Sequence, residues 1–208
     1  MRRLGRWLLW AILAIFAFVV LLQAWYAVHI WWWRDHPPRE TAFMSMRLSE
    51  LQAKRPQARL QYVWVPYERI SVKLKQAMDK NFRKGRVVAG GSTISQQLAK
   101  NLFLSGERSY WRKAEEAAIT VMLEAILDKR RIFELYLNVI EWGNGVFGSE
   151  AAARHYFGIG AGELNAEQAA RLAAMAPNPR HYESTPNSKG LARKVPIILA
   201  RMPSAELP

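Results

Sequence analysis

Between Trp7 and Trp33 the chain is apolar at every position but two, Gln23 and His29. A helix needs about 20 such residues to cross a bilayer core, so this run makes the first element a transmembrane helix. Trp7 and Trp10 at one end, and Trp25, Tyr26 and Trp31 to Trp33 at the other, stand where amphipathic rings collect at membrane–water boundaries. Arg2, Arg3 and Arg6 precede the run, whereas Arg34, Asp35, Arg39 and Glu40 follow it without net charge. Positive charge stays on the cytoplasmic side, so the N-terminus is expected inside and the remainder across the membrane. A cleaved signal peptide has a short apolar core ending in small residues; the bulky Trp cluster argues against one.

Three segments are expected: the cytoplasmic N-terminus and anchor over 1–33, a linker over 34–40, and one domain over 41–208. His36-Pro37-Pro38-Arg39 is extended, because both prolines disfavour helix. Met44, Leu48 and Leu51 fall at i, i+4 and i+7 and predict a short amphipathic helix beside the membrane. Arg59 to Val65 alternates, with Leu60, Tyr62 and Trp64 on one side, and predicts a strand. From Ser71 the pattern is helical almost to the end. The fold class expected is mainly α with a small β element.

Lys and Arg number 30 against 17 Asp and Glu, a net charge of +13, which favours anionic partners. Behind an anchor, a phosphorylated substrate or an acidic bilayer face fits; nucleic acid does not. The chain has no cysteine, which excludes thiol chemistry, disulfides and Cys-held zinc. Its four histidines show no ligand spacing, so no structural metal is expected.

Three stretches carry candidate chemistry. In the first, Gly90-Gly91 break the preceding element, Ser92 or Thr93 can cap a new helix, and Gln96 three residues after Thr93 completes a capping box. Thr93, Gln97, Lys100 and Asn101 then share a helix face near its positive end, either a cradle for a sugar phosphate or a capped helix with a solvated polar face. In the second, a helix from Arg112 to about Asp128 places Glu116, Thr120, Glu124 and Asp128 at four-residue steps. That stripe lines a cleft, or its acidic start merely complements the helix dipole. In the third, Gly143, Gly145 and Gly148 match G-x-G-x-x-G. No parallel βαβ unit surrounds them, so they are read as a tight loop between helices rather than a dinucleotide site.

At these places the sequence resembles the peptidoglycan glycosyltransferases, in their monofunctional, single-anchor branch. The resemblance lies in Gly91-Ser92-Thr93-Ile94 with Gln97, Lys100 and Asn101; in Arg112-Lys113 followed by Glu116; and in Glu134, Tyr136-Leu137-Asn138, Gly143 and Gly148. It implies a lysozyme-like helical domain facing the periplasm, with its cleft near the inner membrane. The growing lipid-linked glycan would be the donor and lipid II the acceptor. Lys100 and Arg108 would hold the pyrophosphate, Arg112 and Gln97 would support them, and Glu116 would orient and stabilise reacting groups. A divalent cation could accompany the diphosphate; no other cofactor is expected. Cell-division and cell-wall synthesis proteins are the protein partners that such an enzyme would have.

One element of the family pattern is missing. Its first motif, Glu-Asp-x-x-Phe-x-x-His-x-Gly, supplies the general base and belongs between Ser71 and Gly90. From Ser71 to Arg86 there is neither Glu nor His. Either Met78 occupies the glutamate's place or the chain is internally shortened after Ala77. Both alignments remove the base and leave Asp79 as the nearby carboxylate, so impaired turnover or a purely lipid II-binding role is expected.

Overall fold

The computed structural model describes residues 2–83, 93–104 and 110–208. Helix α1 (Arg2–Trp32) contains the span Gly5–Trp32, long and apolar enough to cross a membrane. Its far end is tied to the rest of the chain. Tyr26, Ile30 and Trp33, spaced i, i+4 and i+7, are buried in the core. Arg131 donates through Nε to the Trp33 carbonyl at 2.8 Å and through Nη2 to that of His36 at 2.9 Å. Those carbonyls have no intrahelical donor, and a guanidinium supplies two at once.

Helix α2 (Ala42–Lys54) follows, with the Thr41 hydroxyl accepting from the Met44 amide. This is the expected amphipathic helix, and Met44 is buried. The expected strand over 59–65 shrinks to β1 (Gln61–Tyr62). Asn138 explains why: its Oδ1 accepts from Val65 N and its Nδ2 donates to Val65 O, both at 2.9 Å. One buried amide thus satisfies backbone groups that a neighbouring strand would otherwise take.

Four helices come next: α3 (Val72–Arg83), α4 (Ile94–Phe103), α5 (Tyr110–Ile126) and α6 (Lys129–Val139). Asp128 corrects the sequence reading. It is the N-cap of α6, accepting from the Arg131 amide at 2.6 Å, so α5 ends at Ile126 and the stripe begun at Glu116 stops at Glu124. A local carboxylate cap outcompetes one more helical turn.

The glycine-rich stretch is also corrected. It forms a hairpin of β2 (Glu141–Gly143) and β3 (Val146–Phe147), with β3 parallel to β1, in the order β1-β3-β2. Gly145 turns the hairpin at φ 79°, and Gly148 leaves it at φ 82°. A Cβ at 148 would lie 2.6 Å from the Asn138 carbonyl oxygen, so neither conformation nor space admits another residue there. Helices α7 (Ser149–Phe157), α8 (Ala166–Met175), α9 (Pro179–Ser184) and α10 (Lys189–Arg201) complete the chain. Helix α8 packs on α3 and α10, while α4 packs on α5 and α6. The result is mainly α with one small sheet, as expected.

Candidate functional site

Helix α4 carries the first group of candidates. The Thr93–Gln96 capping box is present in both directions, with Thr93 Oγ1 accepting from Gln96 N and Gln96 Oε1 from Thr93 N. The Thr93 hydroxyl is therefore occupied with the helix start. Gln97 turns inward, its Oε1 accepting from the Tyr136 hydroxyl of α6 at 3.1 Å. Burial pushes that hydroxyl well above its ordinary 10.0, so Tyr136 stays a donor. Asn101 is buried and Lys100 exposed. The four residues expected on one face are thus divided between a solvent-facing pair, Thr93 and Lys100, and an inward pair, Gln97 and Asn101.

Helix α5 packs on α4 and presents the second group. Glu116 is only 4% exposed. Its carboxylate accepts from Arg112 Nη1 at 3.4 Å and from Lys113 Nζ, one helical turn back. A buried charge requires such partners. Both partners come from α5 itself, and the Lys113 side chain is 57% exposed, so the ensemble borders solvent with net positive charge. The preceding residue points elsewhere: Glu115 Oε1 accepts from the Tyr26 hydroxyl of α1 at 3.3 Å. Phe103, at the end of α4, stacks edge-on with Trp25 and Tyr26 of α1. Two adjacent glutamates therefore divide the work, one toward the anchor and one toward the site.

A cavity of about 440 Å³ opens between α3, α4, α5 and α6, lined by Asp79, Ser95, Glu124, Leu127, Lys129 and Phe133 among others. It brings Asp79, which is 3% exposed, to the same hollow as Ser95 at the start of α4. Sequence reasoning noted Asp79 but had no means of placing it there. It also missed Lys113 as a direct partner of Glu116; the i, i+3 spacing was the available signal. Arg108 lies outside the described residues, as do Gly90, Gly91 and Ser92.

Comparison with known proteins decides the family. Residues 67–203 match the family described as Transglycosylase. The chain belongs to the transglycosylase family. It is 53% identical, over 233 residues covering 100% of both chains, to the biosynthetic peptidoglycan transglycosylase of Dechloromonas aromatica. The protein of the same description from Herminiimonas arsenicoxydans is 52% identical over 231 residues, again covering 100% of both. That from Methylobacillus flagellatus is 55% identical over 213 residues, 91% of this chain and 93% of its own. The lysozyme-like helical fold is thereby that of the family. A span of 233 residues against the 208 of this transglycosylase differs by 25. Both chains are covered end to end, so the difference is internal to the match.

Proposed function

We propose that this chain is a single-pass inner-membrane peptidoglycan glycosyltransferase of low turnover, with its N-terminus cytoplasmic and its helical domain periplasmic. In the reaction, a hydroxyl of lipid II attacks the anomeric carbon of the growing glycan. The new glycosidic bond forms as the bond to the diphosphate oxygen breaks, the lipid diphosphate leaves, and the attacking hydroxyl's proton passes to a base.

The observation that carries the reading is Glu116, buried yet paired only with Arg112 and Lys113 among the contacts described, on a helix adjoining both α4 and the anchor. Lys100, Arg112 and Lys113 offer cations to a departing diphosphate, whose charge needs stabilisation as it develops. Arg108 would join them, and a divalent cation could add to them. Glu116 holds Arg112 and Lys113 in register, and Gln97, braced by Tyr136, supports α4. The proton acceptor is the weak point, because the segment that bears it in the family is missing.

The second reading is a lipid II-binding membrane protein without transfer activity, partnered with cell-division and cell-wall synthesis proteins. The missing Glu and His between Ser71 and Arg86 favour it. One experiment separates the two: glycan formation from labelled lipid II by the purified chain, and by the chain with the relative's first-motif segment grafted between Ala77 and Met78. The graft is expected to be at least about 10²-fold faster. Equal, robust rates would place the base elsewhere. Binding of lipid II without turnover in either protein would leave the binder.

A further inference from the structure

Between Arg131 and Asn138, helix α6 reaches several separate stretches of chain. Asn138 holds both backbone groups of Val65, and Glu134 Oε1 accepts from the Tyr67 amide at 2.8 Å. Tyr136 donates to Gln97 of α4. Arg131 grips the exit of the anchor: Nε and Nη2 donate to the Trp33 and His36 carbonyls, while Nη1 donates to Glu134. Its guanidinium also lies 5.1 Å from the centre of the Trp64 ring. The Arg131 and Glu134 side chains are only 14% and 13% exposed, so little water competes for these bonds. The expected linker over 34–40 is therefore fastened twice. Arg131 holds it at His36, and the Tyr62 hydroxyl donates to the Pro38 carbonyl at 2.7 Å.

We infer that Arg131 is a positioning residue, which fixes the angle between the anchor and the helical domain and so the approach of a membrane-held substrate to α4. A guanidinium is planar, and its donors point in fixed directions. Two carbonyls and a carboxylate bonded to one such plane cannot turn about α6 without breaking at least one bond. The anchor is held a second time two turns earlier, where Tyr26 donates to Glu115 of α5. Both ties lie on helices that adjoin the candidate site. Glu115 directly precedes Glu116, and Arg131 shares α6 with Tyr136, whose hydroxyl braces Gln97. Lys100 follows Gln97 on α4 by one turn. The direction of the anchor is thus passed to the cations through packed helices rather than through a loose linker. A lipid-linked diphosphate is itself confined to the membrane, so this angle decides whether it meets those cations. A misplacement of about 1 Å can cost on the order of 10²-fold in rate. That consequence rests on lipid II as the substrate; the clasp at Arg131 does not.

The full-length chain in lipid nanodiscs tests this. It has no cysteine, so spin labels at Leu21→Cys on α1 and Arg193→Cys on α10, both exposed, report one distance by pulsed electron resonance. The parent is expected to give one narrow distribution. Arg131→Met, which keeps the stem but none of the donors, should give a broad one. In unlabelled nanodiscs, Arg131→Met should bind lipid II at least about tenfold more weakly, and pyrophosphate, which arrives from water, as the parent does. A broad distribution in the parent, or a narrow and unshifted one in Arg131→Met, would overturn the inference. Losses that are equal for lipid II and pyrophosphate, or absent for both, would overturn it in favour of a residue that merely stabilises α6. A parent that binds no lipid II would sink the glycosyltransferase reading, and the distance distributions would still decide the clasp. Where Arg131→Met unfolds the domain, Arg131→Lys serves instead, since an ammonium keeps the charge but cannot hold both carbonyls.

Discussion

Glu116 and Glu141 are both buried carboxylates paired with arginine, yet they are held in opposite ways. Glu141, in the hairpin, accepts from Arg47 Nε at 2.9 Å across 94 residues and from the Gly145 amide at 3.2 Å. Arg47 is itself buried and also bonds Glu50 and the Asn144 side chain. Beside the adjoining Glu50 and Gly145, the partners come from distant parts of the chain, and Arg180 Nε of α9 lies 3.8 Å from the second Glu141 oxygen, so the group is a rivet between α2 and the sheet. Glu116 has its partners on its own helix, one of them largely in solvent. A ligand anion can recruit those cations without unfolding anything. Remote, enclosed partners make a carboxylate structural, whereas local, half-open ones leave it available for chemistry.

The largest expected effect tests the rivet. Arg47→Ala leaves Glu141 buried without its closest cation, which typically costs about 3–5 kcal/mol, and chemical denaturation should show that loss. Glu116→Gln should shift stability by less than about 1 kcal/mol, since Lys113 rehydrates readily. Comparable losses in the two variants would end the distinction drawn between them.

Next is the ligand side. Lys100→Ala should weaken binding of a pyrophosphate mimic by about 1.5–3 kcal/mol, the usual worth of a charge-assisted contact. Calorimetry in detergent with unchanged affinity would make Lys100 a solvated surface lysine.

The smallest effect sharpens the comparison through pH. Burial raises Tyr136 on the α4 side, and burial with the Glu183 and Glu141 charges raises Tyr156 on the hairpin side. A hydroxyl raised in the folded state contributes stability that is complete below the ordinary 10.0 and lost as pH climbs through the folded value. Melting temperature should therefore fall above pH 10. Tyr136→Phe should flatten that fall more than Tyr156→Phe, because Tyr136 is 1% exposed and Tyr156 only partly buried. Identical alkaline profiles for the two variants and the parent would remove both tyrosines from the argument.

The sequence by itself determined the features whose causes lie within a few residues. The apolar run from Trp7 to Trp33 became α1, Thr93 and Gln96 capped α4 as their spacing requires, and Met44, Leu48 and Leu51 marked α2. The motif resemblance likewise pointed to the family to which residues 67–203 belong. Where local signals competed, the reading failed: Asp128 could extend one helix or cap the next, and Asn144-Gly145 could be a loop or a hairpin turn. Only the tertiary structure decided that Gln97 and Asn101 turn inward from Lys100, that Glu115 serves the anchor while Glu116 does not, and that Asn138 replaces a strand for Val65. Such pairings join residues 39 to 89 apart. Their existence depends on which helices pack together, and hydropathy, caps and turns act over one or two turns of chain.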